Sequence, residues 1–339
     1  MQKKKENHKI ILIFVLLLVI ILAVIVLLGI RKKSATTGTD TQNTVPSTEI
    51  ADGETEKWQE GVISYNGQRY QYNNNIRSYL YMGIDHDGPV EAAKDETSGG
   101  QADALFLLVV DRDTKQLSVI AIHRNTMTDV EVYDKDGTSL GTHRLQICLQ
   151  HGYGDGMRTS CIRTVDAVSR LFYKLPIQGY LSLNMGGIPA LNDAVGGVTV
   201  DVLQDLSDPS KHVDLKQGET VTLNGAEAYT YLRSRDTDEF DSASKRLERE
   251  IQYIESFMEQ AKSLGTSKAL NIYNSASDYI VSNIDFAKLA DELFACEFDP
   301  SRMYTLPGEV TMGEEYEEYN LDEDALYQMI IDIFYKPVD

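Results

Sequence analysis

Arginine residues are concentrated in one stretch of this chain. Arg233 and Arg235 are separated by a single residue, and Asp241, Arg246 and Arg249 follow closely. A guanidinium group donates two parallel hydrogen bonds and stays protonated, so a cluster of this kind suits a phosphate or diphosphate group. The alternative is a solvated surface on which these arginines pair with the acidic residues that lie among them.

Polar residues at the ends of predicted strands supply further candidates. Apolar runs predict buried strands over residues 79–84, 104–110 and 117–122. The flanking polar residues are Asp85 after the first strand, Asp103 before the second and Arg124 after the third. Ligands of layered α/β proteins bind beyond strand ends, so we expect these side chains at one site. The alternative is that strand ends are polar because they reach solvent.

Strands and helices alternate along the chain. Asn66-Gly67 predicts the turn of a hairpin over 62–72, and Asn224 is expected to cap a helix that ends before Arg233. Apolar spacing predicts further helices near 161–172, 188–195, 247–258, 286–294 and 322–334, and further strands near 180–183, 198–202 and 303–306. Short connections between these elements predict an α/β fold, layered α-β-α around a mixed central sheet.

The amino-terminal segment predicts a membrane anchor. Residues 10–30 are 21 consecutive residues without a charged or polar side chain, which is long enough to span a bilayer. We therefore expect a cytoplasmic tail over 1–9, one transmembrane signal-anchor over 10–30 and a disordered polar linker over 31–60. The folded body over 61–339 is then extracytoplasmic, on a single-pass protein of the cell membrane. The alternative is a cytosolic body on a membrane tether.

The charge of the chain disfavours nucleic acid as a partner. The formal net charge is -20, and the residues after Lys33 carry 25 basic against 51 acidic side chains. Such a body repels polyanions unless a local site overrides its field. The sequence also lacks a Walker A pattern, a dinucleotide-binding glycine pattern and a nucleophile elbow, so nothing in it predicts a nucleotide-dependent enzyme or a serine hydrolase.

The cysteines are Cys148, Cys161 and Cys296, without a C-x-x-C pair. This spacing excludes a zinc ribbon or a thioredoxin motif. Because Cys148 and Cys161 are close in sequence and are expected on the oxidising side of the membrane, we predict a disulfide bond between them. The alternative is a pair of buried thiols.

The order of the motifs resembles that of the LytR-CpsA-Psr family. The matching segments are Leu80–Asp85, Ala102–Ala104, Ile122–Thr126, Asn192–Val202, Leu223–Arg235 and Arg246–Arg249. The resemblance covers a motif-bearing core over 79–258 and leaves 259–339 as a C-terminal extension of the domain. It implies a membrane-anchored phosphotransferase of Gram-positive cell-wall biogenesis. Such an enzyme moves a glycopolymer, such as wall teichoic acid or capsule, from a polyprenyl diphosphate carrier to a peptidoglycan hydroxyl through a phosphodiester.

The resemblance also implies roles for the candidate residues. Arg124, Arg233, Arg235 and Arg246 would bind the diphosphate, and Asp85 and Asp103 would hold Mg²⁺. The implied catalytic residues are Asp103, Arg124 and Asp241, with Asp103 or Asp85 able to activate the acceptor hydroxyl.

Departures from the family pattern favour an alternative function. The family usually has Arg at the position of Gln101 and Pro-Arg-Asp at the positions of His123, Arg124 and Asn125. The missing Arg would remove one diphosphate ligand, and the missing acid would remove a group that orients Arg124. The alternative is therefore a non-catalytic module that binds polyprenyl-phosphate lipids or wall glycan.

Overall fold

A computed structural model describes residues 62–236, 238–263, 272, 274–284 and 297–338. The strands are β1 (Val62–Tyr65), β2 (Gln68–Tyr72), β3 (Ile76–Ile84), β4 (Ala102–Asp111), β5 (Gln116–Ile122), β6 (Met127–Tyr133), β7 (Ser139–Gln146), β8 (Gly179–Asn184), β9 (Val198–Asp201), β10 (Leu206–Asp208), β11 (Val213–Leu215), β12 (Thr220–Leu223), β13 (Ile280–Ser282), β14 (Glu297–Thr305), β15 (Gly308–Met312), β16 (Glu317–Leu321) and β17 (Tyr335–Val338). The α-helices are α1 (Arg158–Leu171), α2 (Ile188–Ala194), α3 (Gly225–Arg233), α4 (Ser242–Ser263) and α5 (Glu323–Phe334).

The central sheet has six strands in the order β13-β8-β3-β4-β5-β14. Strand β3 runs antiparallel to β4 and parallel to β8, while β5 runs antiparallel to β4 and parallel to β14. The sheet is therefore mixed, and the predicted α/β fold with a mixed central sheet is confirmed.

Helices cover both faces of this sheet. Along β4, Leu105 and Leu107 pack with residues of α1 and α5, whereas Phe106 packs against Leu247 of α4. Successive side chains of a strand point to opposite faces, which explains this division. The result is a layered arrangement with α1 and α5 on one face and α4 on the other, and we call these the α1 face and the α4 face.

Local sequence features account for several elements. Asn66 and Gly67 have φ angles of 49° and 78°, so the predicted hairpin turn joins β1 to β2. The side chain of Asn224 accepts the backbone N–H groups of Ala226 and Glu227, and Glu227 completes a capping box at the start of α3. Helix α3 ends at Arg233 and not before it, so the predicted boundary was wrong by one residue.

The C-terminal segment is part of the same core. Strand β14 pairs with β5, and β17 pairs with β2. Helix α5 contributes Leu326, Ile330 and Phe334 to the core that also contains β3 and β4. The helix predicted near 286–294 lies outside the described residues.

No described helix is both long enough and apolar enough to cross a membrane. The predicted tail, anchor and linker over 1–60 lie outside the described residues.

The predicted disulfide between Cys148 and Cys161 was wrong, because both are free, buried thiols. Cys148 lies near the side-chain oxygens of Gln101 and Gln146, whereas Cys161 donates to Ser182 Oγ at 3.4 Å. The two sulfur atoms therefore face different neighbours despite their closeness in sequence. Burial raises the pKa of Cys148 to about 11 and that of Cys161 to about 12, so both thiols stay protonated at neutral pH.

Candidate functional site

The predicted strand-end residues lie at one edge of the central sheet. Ile84 at the end of β3 pairs with Ala102 at the start of β4, and Leu105 of β4 pairs with Ile122 at the end of β5. The residues that follow or flank these positions are Asp85, Asp103 and Arg124. The antiparallel pairing of β3, β4 and β5 thus brings them together, as the sequence predicted.

Asp103 lies between two buried arginines. Its Oδ1 accepts Nε of Arg124 at 2.9 Å, and its Oδ2 accepts Nη1 of Arg246 at 2.8 Å. Burial alone would raise the pKa of Asp103, but the charges of Arg246 and Arg124 outweigh it and lower the pKa. The carboxylate is therefore ionised and holds both guanidinium groups in fixed positions.

All three edges of the Arg124 guanidinium are engaged. Besides Asp103, Nη1 donates to Asn125 Oδ1 at 2.8 Å and Nη2 donates to Gln101 Oε1. The expectation that Asn125 leaves Arg124 without an orienting group was wrong, because the amide oxygen accepts the hydrogen bond. Gln101 lacks one positive charge and Asn125 lacks one negative charge relative to the family pattern, so these two departures leave the net charge of the site unchanged.

Arg235 is the open cation of the cluster. It is half-buried and forms no hydrogen bond or salt bridge with the described residues. Burial lowers its pKa, and the positive charges of Arg124 and Arg246 lower it further. Arg235 therefore lies close to both of these arginines with its own hydrogen-bond donors unused, which is the state expected of an anion-binding side chain.

Arg233 has a different partner from Arg235. Its Nη2 lies 3.0 Å from Oδ1 of Asp85, in an ion pair whose members are 43% and 39% exposed. Arg233 is the last residue of α3, whereas Ser234 is extended and leads the chain towards Arg235. A helix that ended before Arg233, as predicted, would have left both arginines on one extended segment with their side chains on the same side, and this arrangement is not observed.

Arg249 fixes the segment that carries Arg235. Its Nε donates to the carbonyl oxygen of Tyr231 at 2.7 Å, and its other nitrogens donate to Gln204 and to the carbonyl oxygen of Ser234. Burial lowers the pKa of Arg249 to about 10, which still leaves it charged at neutral pH. This arginine holds the end of α3 and the turn after it, and all three of its donor nitrogens are used in these contacts.

Asp241 directly precedes α4 and forms no ion pair with an arginine among the described residues. Its backbone has a φ of 60°, its N–H donates to Glu317 Oε1 at 2.6 Å, and its buried Oδ1 has no hydrogen-bond partner among the described residues. An unpartnered buried carboxylate oxygen is costly, so it is available to a ligand or a water. The catalytic role of Asp241 stays a prediction.

His123 and Ser244 do not form a nucleophile–base pair. The Nδ1 atom of His123 accepts the backbone N–H of Asn125 at 3.2 Å, so the neutral ring carries its proton on Nε2, which lies 3.2 Å from Ser244 Oγ. The ring stacks on Tyr319 at 4.6 Å, and burial lowers the pKa of His123 to about 4. His123 can donate to Ser244 but cannot remove its proton.

An apolar cavity of about 320 Å³ adjoins the arginine cluster on the α4 face. Its walls come from β3, β4, β5, β8, α2 and α4, and they include Phe106, Val119, Leu181 and Ile254. Gly83 and Ala104 line the end of the cavity that adjoins Asp85 and Asp103. The cavity can therefore accept an apolar chain whose anionic end lies among the arginines.

Glu250 is the ionisable carboxylate that joins this cavity to the cluster. It lines the cavity, it is 5% exposed, and its Oε1 lies 3.3 Å from Nε of Arg246. Burial raises the pKa of Glu250 to about 7, with Asp103 acting in the same direction and Arg246 opposing it. Sequence reasoning missed this residue, although its position four residues after Arg246 on a helix was a usable sign.

Glu250→Gln is expected to change how the free energy of unfolding depends on pH. The unfolded chain releases this proton near the ordinary value of 4.5, whereas the folded protein holds it until about 7. Wild-type stability therefore falls as pH rises through this window, by up to roughly 3 kcal/mol, and the amide variant avoids this loss. Denaturant titrations at several pH values would measure it. Glu248→Gln on the exposed face of α4 is the control, and equal pH profiles for both variants would contradict the assignment.

Metal ligands are sparse at this site. The described residues contain no cluster of three His, Cys, Asp or Glu side chains able to hold a metal ion. Both oxygens of Asp103 accept arginine donors, so a cation there must share the carboxylate with them. Asp85 is exposed and accepts Arg233 through Oδ1 alone, which leaves Oδ2 open to a proton donor, including a water of a hydrated Mg²⁺ that takes its ligands from phosphate and water.

The site thus combines a cluster of cationic side chains at one edge of a mixed sheet with an adjoining apolar cavity. The LytR_cpsA_psr family model matches residues 33–331. The chain therefore belongs to the LytR_cpsA_psr family.

Two relatives carry names that describe an activity. The polyisoprenyl-teichoic acid–peptidoglycan teichoic acid transferase TagU of Enterococcus faecalis is 28% identical over 212 residues, 62% of each chain. The transferase TagV of Bacillus subtilis, which has the same descriptive name, is 27% identical over 61% of this chain and 49% of its own length. This chain thus spans about half to three-fifths of these relatives.

A solved structure shows the same fold. The protein gbs0355 from Streptococcus agalactiae superposes with a TM-score of 0.60 at 21% identity, covering 76% of this chain and 86% of that one.

Proposed function

We propose that this protein is a phosphotransferase that moves a glycopolymer from a polyprenyl diphosphate carrier to a hydroxyl of peptidoglycan. The observation that carries the proposal is an apolar cavity whose wall includes Glu250, the ion-pair partner of Arg246 in the arginine cluster. A lipid chain in the cavity would place its diphosphate beside Arg124, Arg235 and Arg246. The names of the related transferases, which specify polyisoprenyl-teichoic acid and peptidoglycan, support the same pair of substrates.

The charge of the site fits a diphosphate. Arg124, Arg235 and Arg246 contribute three positive charges and Asp103 one negative charge. This leaves two positive charges while Glu250, whose pKa is raised to about 7, is protonated, and one when it is ionised. A diphosphate that links a lipid to a sugar carries one ionised oxygen on each phosphoryl group. Fixed guanidinium groups in a partly buried site stabilise the charge that develops on the leaving phosphate.

The acceptor hydroxyl attacks the phosphorus that bears the glycopolymer. A new P–O bond forms, the bridging P–O bond of the diphosphate breaks, and the electron pair leaves with the polyprenyl monophosphate. The open Oδ2 of Asp85 is the best placed acceptor for the hydroxyl proton, since both oxygens of Asp103 are occupied. Asp103 instead positions Arg124 and Arg246.

Mg²⁺ is part of this proposal, held by diphosphate oxygens and water beside Asp85, whose Oδ2 stays open for the hydroxyl proton. Asp85 as a direct ligand stays a prediction. When bound, Mg²⁺ would neutralise charge on the diphosphate. A role for Asp103 as a second ligand stays a prediction. We also propose that the body lies outside the cell, anchored by residues 10–30.

The cavity predicts that affinity depends on the lipid. Val119→Trp would fill space in the cavity, since Val119 lines it. We expect a loss of about tenfold or more in affinity for a long-chain polyprenyl diphosphate, because a large apolar contact is removed. Affinity for inorganic diphosphate should not change. Titrations of the full chain in detergent would measure both.

The control for this variant is Met312→Trp, at a residue that is 64% exposed. Equal affinity of wild type and Val119→Trp for the long-chain lipid would contradict the use of this cavity.

A further inference from the structure

A second, polar cavity near Asp85 shares no lining residue with the apolar cavity. Its volume is about 230 Å³, and its lining includes His86, Glu91, Lys94 and Asn184. His86 directly follows Asp85 in the chain, and Asn184 is the last residue of β8, where it pairs with Ile84. The polar cavity therefore shares the sheet edge that carries the arginine site.

The two cavities open on opposite faces of the sheet. Leu183 of β8 lines the apolar cavity on the α4 face, and its neighbour Asn184 lines the polar one. In the same way Gly83 lines the apolar cavity, whereas Ile84 packs into the core under α1. This alternation follows from the strand pleat and places the polar cavity on the α1 face.

The lining of the polar cavity suits a sugar ring. It offers an imidazole, an amide, a carboxylate and an ammonium group, with small alanine and glycine residues between them. Neither Glu91 nor Lys94 forms a salt bridge with the described residues, although both line the same cavity. Asn184 Nδ2 donates to the carbonyl oxygen of Gly88, and its Oδ1 has no hydrogen-bond partner among the described residues.

The loop that forms this cavity is held in place. The backbone N–H groups of Val90, Ala93 and Gly99 donate to the carbonyl oxygens of Asp278, Asp155 and Gly152. A Cβ atom on Gly99 would lie 2.7 Å from the carbonyl oxygen of His151. The cavity wall can therefore lie this close to the backbone of His151 only because residue 99 is glycine. A preorganised polar cavity binds a ligand at a lower entropic cost than a loop that must first order.

We propose that this polar cavity is the acceptor subsite, where one sugar ring of the acceptor glycan binds. This inference rests on the proposed phosphotransfer. In-line displacement at phosphorus places the attacking oxygen opposite the leaving oxygen. With the lipid phosphate leaving towards the α4 face, the hydroxyl must approach from the other side. A sugar in the polar cavity presents its hydroxyl from that side, next to Oδ2 of Asp85.

Ala92→Trp tests this proposal, because Ala92 is an exposed residue of the lining and its enlargement blocks the cavity. With the full chain in detergent, we expect the KM for peptide-free peptidoglycan strands to rise by about tenfold or more. The kcat at saturating acceptor and the Kd for the lipid-linked donor should stay within about twofold. Lys94→Ala should raise the same KM by a smaller factor, since it removes one contact.

The control is Leu140→Trp, at a residue of β7 that is 56% exposed. An unchanged acceptor KM in Ala92→Trp, or a change confined to donor affinity, would overturn the acceptor subsite and leave the phosphotransferase proposal standing. If the wild type shows no transfer, direct titration of the full chain with the same strands still tests whether the polar cavity binds glycan. Binding that Ala92→Trp abolishes supports a glycan subsite, and wild-type binding that is absent or survives in Ala92→Trp overturns it.

Discussion

Arg235→Ala is expected to reduce transfer by roughly tenfold to a hundredfold without destabilising the fold. A charge-assisted hydrogen bond contributes on the order of 1.5–3 kcal/mol, and Arg235 is the arginine of this cluster whose donors are unused among the described residues. Removing it also relieves repulsion with Arg124 and Arg246, which lower its pKa. The melting temperature should therefore stay equal or rise while kcat/KM falls. Steady-state kinetics and thermal unfolding would measure the two effects.

Two further variants test whether the loss of transfer is specific to the guanidinium group of Arg235. Arg235→Lys should recover part of the activity, since lysine keeps the charge but lacks the planar fork. Arg233→Ala should lose less, because Asp85 already neutralises Arg233 at the surface. Arg144→Ala, an exposed arginine of β7, is the matched control. A variant Arg235→Ala with normal transfer and normal affinity for lipid diphosphate would remove Arg235 from the site.

Asp103→Asn is expected to have the largest effect on stability. The substitution leaves Arg124 and Arg246 buried without their shared counter-charge, and breaking such a pair costs about 3–5 kcal/mol. Transfer should also be lost, because both guanidinium groups lose their fixed positions. Chemical denaturation would measure the change in the free energy of unfolding.

The pH dependence of this difference has a defined sign. The pKa of Asp103 is lowered in the folded protein, so its contribution is complete above the ordinary value of 3.8 and decreases in more acidic solution. Asp113→Asn is the control, since Asp113 forms an exposed pair with Lys336 that is worth under about 1 kcal/mol. Equal losses in the two variants at neutral pH would contradict a buried arginine–carboxylate cluster.

Periodicity and motif order predicted much of the fold and the candidate residues. The apolar runs that form β3, β4 and β5 placed Asp85, Asp103 and Arg124 at strand ends, and antiparallel pairing then brings them to one edge. Asn224 predicted the start of α3 because its side chain caps the helix locally. Such features depend on residues that are neighbours in sequence, so a single sequence is enough to predict them.

Features that depend on contacts between residues far apart in sequence could not be predicted from local sequence patterns. Strand β7 is exposed and polar over most of its length, so no apolar alternation marks it, and only pairing with β6 defines it. The apolar cavity is a space between the sheet and α4 that no single segment encodes. The sequence predicted that Gln101 and Asn125 replace charged groups of the site without substituting for them. In the folded protein, both side chains accept hydrogen bonds from Arg124.

Cys148 and Cys161 show the same limit. Their spacing is compatible with a disulfide, but the direction of each side chain is set by different packing partners. Sequence separation bounds the distance between two residues and does not fix the orientation of their Cβ atoms.

The most direct test of phosphotransfer follows the phosphorus atom. The full chain would be incubated with Mg²⁺, peptidoglycan strands and a polyprenyl diphosphate-linked glycan that is labelled at the phosphorus nearest the glycan. We expect label on the peptidoglycan in a phosphodiester, together with free polyprenyl monophosphate, and much less of both with Arg235→Ala. Label that remains with the lipid, or donor that binds without turnover, would contradict phosphotransfer, and the latter result would favour a binding module.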